Sequence, residues 1–215
     1  MKIAIIGGTG DEGIGLATRF AYAGDEIVIG SRSAEKAQAA AASILQRLPS
    51  AKISGTDNES ACRGTDVVIN TLPYQAQRET LSGLRSAIGT GLLISTVVPV
   101  IFNKQGITVL PVEEGSAAVQ AQKILPDARV VAAFHTLGAK HLADYEHAME
   151  SDVLVAGDRK EDKALVIELA QKIKGIRGID CGPLSNSSLV ENLTVLLLNV
   201  NRVNKVTSSV RIVGI

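Results

Sequence analysis

Residues 2–36 of this 215-residue chain read KIAIIGGTGDEGIGLATRFAYAGDEIVIGSRSAEK, and this stretch decides the fold. Residues 2–6 form a short apolar run rich in β-branched side chains, which predicts a buried strand. A helical spacing of apolar residues follows over 14–23, ends at Gly24, and leads into a second apolar strand at 26–30. Strand, helix and strand in this order predict the start of an α/β fold with a parallel sheet.

The turn between the first strand and the helix is rich in glycine. Gly8, Gly10 and Gly13 fit the spacing G-x-G-x-x-G. A strand before this pattern and a helix after it are the context that the dinucleotide fingerprint requires. Glycines allow the backbone to approach a pyrophosphate, and the free amides and dipole of the helix start attract it. We therefore predict a dinucleotide site at residues 8–13.

Two carboxylates, Asp11 and Glu12, stand beside the predicted anion site. We expect them to favour the start of the helix through capping and the helix dipole, with their side chains pointing to solvent. The alternative is that they contact the ligand.

The end of the second strand favours NADP over NAD. A unit that binds NAD usually has Asp or Glu here, which accepts a hydrogen bond from the ribose 2′-hydroxyl. This chain has Ser31 and Arg32, followed by Lys36. A hydroxyl and two cations attract the 2′-phosphate that a carboxylate would repel, and the arginine fork suits phosphate oxygens. The alternative is a solvated basic turn.

Composition excludes several classes of function. The chain has 22 Lys and Arg against 22 Asp and Glu, so no charge excess points to nucleic acid or an acidic membrane surface. Apolar runs are too short to span a bilayer, and Met1 leads directly into a strand without room for a signal peptide. Cys62 and Cys181 form no C-x-x-C pair. We expect a reduced, cytoplasmic protein.

Strands and helices alternate through the rest of the chain, which predicts a Rossmann-type, doubly wound parallel sheet. We expect an NADP-binding domain at 1–150 and a smaller C-terminal α/β extension at 151–215. Further strands are predicted at 51–55, 66–72, 92–98, 129–134, 152–156 and 176–180. Further helices are predicted at 37–48, 58–62, 75–88, 117–125, 160–174 and 189–203. The last helix, with Ser185 as a candidate N-cap, is apolar and long enough to pack on the sheet, on a partner chain, or on both.

Ligands of such a sheet lie outside the carboxyl ends of its strands. Besides the glycine turn and Ser31, this rule selects two apolar strand ends, which should flank the ribose and nicotinamide: Leu72 with Pro73, and Val98 with Pro99. His135 follows the strand at 129–134 and reaches the same edge. It is either a structural hydrogen-bond partner or a catalytic group. His141 and His147 are expected on the surface.

The chain lacks the usual catalytic groups of several enzyme classes. No Tyr-x-x-x-Lys pair, no G-x-S-x-G elbow and no cluster of metal ligands occurs in the sequence. What remains is an NADP site with an apolar rim and at most one histidine. Such a site suits a hydride acceptor that delocalises the incoming charge and needs only alignment and exclusion of water, as flavins and deazaflavins do.

Four segments resemble the NADPH-dependent coenzyme F-420 reductases: GGTGDEGIGLATRFAYAG (7–24), IGSRSAEKA (29–37), AFHTL (133–137) and CGPLSNSSLVENLTVLLLNVN (181–201). The resemblance implies reversible hydride transfer between C4 of the nicotinamide of NADP(H) and C5 of the deazaflavin F-420, usually in a homodimer. It implies pyrophosphate contacts at Thr9, Gly10, Asp11 and Glu12, 2′-phosphate contacts at Ser31, Arg32 and Lys36, and rim contacts at Leu72, Val98, Pro99, His135 and Leu137. Asn186 and Leu189 fall in the last segment, where we expect a structural role.

Two alternatives remain open. The first is an NADPH-dependent reductase of another acceptor: ferric ion, a flavin or a small carbonyl compound. A β-hydroxyacid dehydrogenase would need Lys and Asn on the last helix, where Lys205 and Asn199, Asn201 or Asn204 supply the residue types without a recognisable spacing. The second is a protein that binds NADPH as a sensor and does not turn it over.

Overall fold

The computed structural model describes all residues from Met1 to Ile215. The strands are β1 Lys2–Ile6, β2 Glu26–Ser31, β3 Ile53–Asp57, β4 Val67–Asn70, β5 Leu92–Ser95, β6 Val100–Phe102, β7 Ile107–Val109, β8 Arg129–Ala132, β9 Ser151–Gly157 and β10 Ile176–Asp180. The helices are α1 Asp11–Tyr22, α2 Ala34–Arg47, α3 Asn58–Cys62, α4 Tyr74–Gly83, α5 Arg85–Ile88, α6 Ala117–Ile124, α7 Ala139–Ala143, α8 Lys160–Gln171 and α9 Ser187–Asn204.

Eight strands form one sheet in the order β10-β9-β8-β5-β4-β1-β2-β3, and β6 and β7 form a separate hairpin. Successive residues of each central strand enter opposite layers of the core. Ile3 and Ile5 pack into one apolar cluster, whereas Ala4 and Ile6 pack into the other. Because both faces of the sheet are covered, its strands are nearly continuous apolar runs. The predicted α/β, Rossmann-type fold is confirmed.

The sheet is not parallel throughout. β8 and β9 pair antiparallel, with Ala132 opposite Ala156, while β9 and β10 are parallel to each other. The C-terminal unit β9-α8-β10 therefore extends the same sheet in the reverse direction. The division into domains at 150 and 151 stays a prediction.

Several predicted elements need correction. The helix expected at 75–88 is divided into α4 and α5 at Leu84. The hairpin β6–β7 was not predicted. Ser185 does not cap the last helix, because it lies in a 3₁₀ turn, and α9 follows Asn186 without a side-chain cap. No helix of the structure has both the length and the apolarity needed to cross a bilayer.

Candidate NADP and hydride-transfer site

A cavity of about 590 Å³ lies at the carboxyl ends of β1, β2 and β4. Twelve residues line it: Gly7, Thr9, Gly10, Ser31, Arg32, Ser33, Lys36, Asn58, Thr71, Leu72, Pro73 and Ala76. We call it the phosphate cavity. It brings together seven of the predicted site residues, from three strand ends that are far apart in sequence.

The glycines of the turn have different roles. A Cβ on Gly13 would lie 2.6 Å from Gly8 Cα, and a Cβ on Gly8 would lie 2.6 Å from the Ile5 carbonyl oxygen. These two glycines therefore allow α1 to pack against β1, beneath the cavity. A Cβ on Gly10 would meet no atom within 4 Å. Gly10 is thus the fingerprint glycine whose missing side chain leaves room for a ligand.

The start of α1 has free hydrogen-bond donors. No side chain caps it, and the backbone amides of Asp11, Glu12 and Gly13 donate to no protein acceptor. Free amides at a helix N-terminus, together with the helix dipole, form an anion site. The pyrophosphate site predicted from the glycine spacing is therefore available at this position.

The cations of the phosphate cavity have no anionic partners. Arg32 and Lys36 are exposed and take part in none of the ion pairs of the chain. Ser31 Oγ accepts a hydrogen bond from the Ser33 amide at 3.3 Å, which leaves its hydroxyl hydrogen free to donate. No Asp or Glu lines this cavity. It therefore attracts a phosphate, and it lacks the carboxylate that a ribose 2′-hydroxyl would need.

A buried amide network fixes the rim next to this cavity. Asn70 Oδ1 accepts from the Leu72 amide at 3.1 Å, and Asn70 Nδ2 donates to Gln77 Oε1 at 2.9 Å. The Asn70 carbonyl accepts from the Thr96 hydroxyl at 3.1 Å, which ties the end of β4 to the end of β5. The sequence analysis missed Asn70, although a polar residue at the end of an apolar strand was a usable signal.

A second cavity, of about 260 Å³, lies between the start of α1, the ends of β5 and β8, and α9. Its lining residues are Glu12, Val98, Val100, His135, Thr136, Leu137, Gly138, Ala139, Thr194, Leu197, Leu198, Asn201 and Ser208. We call it the apolar cavity. Predicted rim residues Val98, His135 and Leu137 meet here, whereas Leu72 and Pro73 line the phosphate cavity. Pro99 lines neither cavity; it is buried, and its carbonyl accepts from the Leu110 amide.

His135 is buried in the apolar cavity without a hydrogen-bond partner. The residue is 5% exposed, and neither ring nitrogen has a hydrogen-bond partner in the protein. Burial lowers the pKa of His135 to about 3, so the imidazole is neutral near pH 7. The interpretation of His135 as a structural hydrogen-bond partner is wrong.

The backbone before His135 is strained. Phe134 has φ 69°, a left-handed conformation that non-glycine residues rarely adopt. Its ring packs edge-on against Phe20, with centroids 5.9 Å apart. Such strain persists where the surrounding packing holds it, commonly at functional sites. The Phe20–Phe134 contact therefore fixes the direction of the chain that places His135 in the cavity.

Glu12 also points into the apolar cavity. Its Oε1 is shielded from solvent and has no hydrogen-bond partner. Burial raises the pKa of Glu12 to about 8, and the Thr96 side chain opposes only part of this rise. The expectation that both carboxylates face solvent is confirmed for Asp11, which is exposed, and is wrong for Glu12. The glycine fingerprint could not reveal which way the Glu12 side chain points, because α1 begins three residues earlier than predicted.

The C-terminal segment closes the apolar cavity with four residues that the sequence analysis missed, Thr194, Leu197, Leu198 and Ser208, and with Asn201, which it named only for the dehydrogenase alternative. Asn201 Oδ1 accepts from the Ser208 amide at 2.6 Å and holds the tail against α9. Asn186 and Leu189 line neither cavity: Asn186 Nδ2 donates to the Cys181 carbonyl, and Leu189 is 67% exposed. Asn199 bonds to the backbone of Ile107, and Lys205 lies outside the cavity.

The two cavities differ in chemistry. The phosphate cavity, on one side of the start of α1, offers free amides, a hydroxyl and two unpaired cations. The apolar cavity, on the other side, offers apolar walls with a neutral histidine and a buried carboxyl. Neither lining contains a Tyr-x-x-x-Lys pair or a Ser-His-Asp arrangement that could act as a general acid or a nucleophile. A ligand with phosphates at one end and an uncharged reacting ring at the other fits this arrangement.

Comparisons with known proteins agree with the geometry. A family described as "NADP oxidoreductase coenzyme F420-dependent" matches residues 2–99. The F420-dependent NADP reductase of Methanothermobacter thermautotrophicus is 42% identical over 97% of this chain and 93% of its own length. A crystal structure of a putative F420-dependent NADP reductase from Arthrobacter sp. FB24 superposes with a TM-score of 0.82 at 25% identity, over 96% of both chains.

A more distant relative is a metalloreductase. Metalloreductase STEAP3 of Rattus norvegicus is 26% identical over 92% of this chain, which spans 37% of the rat protein. The F420-dependent NADP reductase of Methanothermobacter thermautotrophicus has the higher identity, and the match covers nearly all of both chains. This chain belongs to the F420-dependent NADP reductase family.

Proposed function

We propose that the protein transfers a hydride reversibly between NADP(H) and the deazaflavin coenzyme F-420. The observation that carries the proposal is the pairing of a phosphate cavity without carboxylates and an apolar cavity without cations, whose one carboxyl is Glu12, on either side of the start of α1. Membership of the reductase family supports the choice of both co-substrates.

The residues of the phosphate cavity would hold NADP(H). Ser31, Arg32 and Lys36 are placed to bind the 2′-phosphate, because they line the cavity and the two cations have no competing anion. The free amides at the start of α1 would bind the pyrophosphate. Leu72 and Pro73, held by Asn70, would then direct the nucleotide towards the apolar cavity.

The apolar cavity would hold the reacting rings. When bound, the nicotinamide supplies a hydride at C4, and the deazaflavin accepts it at C5. Val98 and Leu137 would exclude water and keep the reacting carbons about 3–3.5 Å apart. His135 is neutral, so it adds no charge that would bias the ring towards one oxidation state.

The test is a spectrum of oxidised F-420 mixed with NADPH and the protein. We expect the visible absorbance of F-420 to disappear, with NADH far less effective than NADPH. Turnover of ferric chelates or free flavin without turnover of F-420 would instead support the reductase alternative, which the similarity to the rat metalloreductase favours. Tight NADPH binding without turnover of any acceptor would support a sensor.

We also propose that the protein is a homodimer that buries one face of α9. Leu189, Leu196, Val200 and Val203 are spaced along this helix and are between 37% and 77% exposed. A row of large exposed apolar side chains is typical of an interface. Leu196→Glu should halve the mass measured by light scattering, whereas Tyr22→Glu, at an exposed site on α1, should leave it unchanged. A wild-type monomer would contradict the proposal.

We place the protein in the cytoplasm, because both of its cysteines are free thiols.

A further inference from the structure

Glu12 is the one carboxyl in the apolar cavity, and nothing there compensates its charge. From the ends of β5 and β8, the groups facing it are Thr96, apolar side chains and His135, which burial keeps neutral. From α9 and the tail, the lining side chains are Thr, Leu, Asn and Ser. Asp11, the neighbouring carboxylate on α1, faces solvent.

A carboxyl without a cation or a donor for Oε1 holds its proton. Removal of solvent disfavours the charged form, and the pKa of Glu12 rises to about 8 for this reason. At pH 7 the side chain is therefore mainly a neutral acid. This state also explains how a glutamate can stand next to an anion site, since the neutral acid does not repel a pyrophosphate.

The proposed reaction changes the charge of the ring that would occupy this cavity. The nicotinamide of NADPH is neutral, whereas that of NADP⁺ carries a positive charge. A cation within about 4–6 Å lowers the pKa of a carboxyl by about 1–3 units. A carboxyl whose pKa starts near 8 would thus cross neutral pH when the ring is oxidised.

We propose that Glu12 carries a proton beside NADPH and gives it up beside NADP⁺, so that loss of the hydride and loss of this proton are coupled. The inference rests on the proposed function and deepens it. The C4–H bond breaks, its electron pair forms the C–H bond at C5 of the deazaflavin, and charge passes to the ring nitrogen N1. The Glu12 O–H bond breaks, and its proton forms the N1–H bond, which balances NADPH + F-420 + H⁺ against NADP⁺ and reduced F-420. Solvent returns a proton to Glu12 after NADP⁺ leaves the site.

The test uses nucleotide binding, and its outcome does not depend on the identity of the acceptor. Dissociation constants of NADP⁺ and NADPH are measured by calorimetry from about pH 5 to about pH 9. If the pKa of Glu12 falls by about 1–2 units beside NADP⁺, the affinity for NADP⁺ relative to NADPH rises about 10- to 100-fold over this range. Titration of the 2′-phosphate cancels in the ratio, because both nucleotides carry this group.

Proton release gives a second readout on the wild-type protein. With the same shift, binding of NADP⁺ at about pH 7.5 should release about 0.5–0.7 proton from Glu12, and binding of NADPH should release no such proton. An infrared difference spectrum should show the protonated carboxyl band disappear with NADP⁺ and persist with NADPH. These measurements need no variant.

Two variants assign the proton. Glu12→Gln should abolish both the pH-dependent ratio and the release. Glu191→Gln is the matched control: this carboxyl is also buried, with its pKa raised to about 7, but it accepts from the Ala117 and Ala118 amides and lines neither cavity. Its replacement should leave the nucleotide-linked release unchanged.

The inference would be overturned if the dissociation constants of NADP⁺ and NADPH had the same pH dependence, or if NADP⁺ binding still released a proton in Glu12→Gln. Loss of this proton release in Glu191→Gln would also overturn the inference, because it would assign the proton to Glu191. If the coupling is present and F-420 is not reduced, the proposed acceptor fails while the role of Glu12 stands.

Discussion

Replacing Arg32 by alanine tests the assignment of the phosphate cavity. The Arg32 side chain lines the cavity beside Ser31 and Lys36 and makes no ion pair with the protein, so its removal should not disturb the fold. A hydrogen bond to a charged group contributes about 1.5–3 kcal/mol. Because Arg32 is exposed and solvent screens part of this energy, we take the lower half of the range.

This energy corresponds to an increase in the KM for NADPH of about 10- to 50-fold in Arg32→Ala. The KM for NADH should change less than about 2-fold, since NADH has no 2′-phosphate to lose contact with. Arg32→Lys should lie between, because it keeps the charge and loses the planar fork.

The assay is the initial rate of F-420 reduction at varied nucleotide concentration, at low and at moderate salt. Arg63→Ala is the control, because Arg63 is an exposed arginine directly after α3, paired with Glu59, and it does not line the cavity. Equal losses with NADPH and NADH, or a loss insensitive to salt, would refute the 2′-phosphate assignment.

Three further predictions test the glycine turn, the buried histidine and the anchoring of the 141–147 loop. Gly13→Ala should lower the free energy of unfolding by about 1–3 kcal/mol in urea denaturation, because the added Cβ would clash with Gly8. Gly10→Ala should change the free energy of unfolding by less than about 1 kcal/mol, and it should weaken NADP(H) binding measured by calorimetry. Unfolded imidazole binds a proton below about pH 6.5 while folded His135, with its pKa lowered to about 3, does not, so the contribution of His135 to stability should fall by about 2 kcal/mol between about pH 7 and about pH 5. This fall is measured as the difference in the free energy of unfolding between wild type and His135→Gln in urea, because the opposite contributions of Glu12 and Glu191, whose pKa values are raised, cancel in that difference. The buried Arg19 guanidinium donates to five carbonyls of the loop at 141–147, so Arg19→Ala should cost at least about 3 kcal/mol in the same assay, against less than about 1 kcal/mol for the exposed Arg47→Ala.

The phosphate half of the site was predictable because its determinants are local. The glycine turn and Ser31 belong to one strand-helix-strand unit and Lys36 to the first turn of the next helix, so the order and spacing of these elements place all of them around one cavity. The rule that ligands lie at the carboxyl ends of parallel strands also selected Leu72 and Pro73, which line the phosphate cavity. Chemistry that depends on neighbours in sequence can be inferred without a structure.

The apolar half was predicted only in part, because its walls come from distant segments. The helical spacing of α9 does not say which of its faces meets the sheet, so Leu197 and Leu198 were missed. The direction of the Glu12 side chain depends on where α1 begins and on which segments pack against the start of this helix. The unpaired state of His135 follows from the strained backbone at Phe134, which no sequence pattern indicates.

The same distinction applies to the fold. Strands such as β1 and β5 were predicted because they are apolar on both faces. The hairpin β6–β7 is short and largely exposed, with Phe102 71% exposed, so it lacks the pattern of a buried strand. The reversed direction of β9 was missed because alternation of strands and helices predicts neighbours but not the path of each connection.

The central claim is that a hydride passes directly from the nicotinamide to the deazaflavin in this site. NADPH that carries deuterium at the transferred C4 position should be mixed with oxidised F-420 and the protein in ordinary water, and the mass of the reduced F-420 should be measured. We predict one deuterium retained at C5 in the product. Reduced F-420 without deuterium, or no reduction by a protein that binds NADPH tightly, would contradict the account.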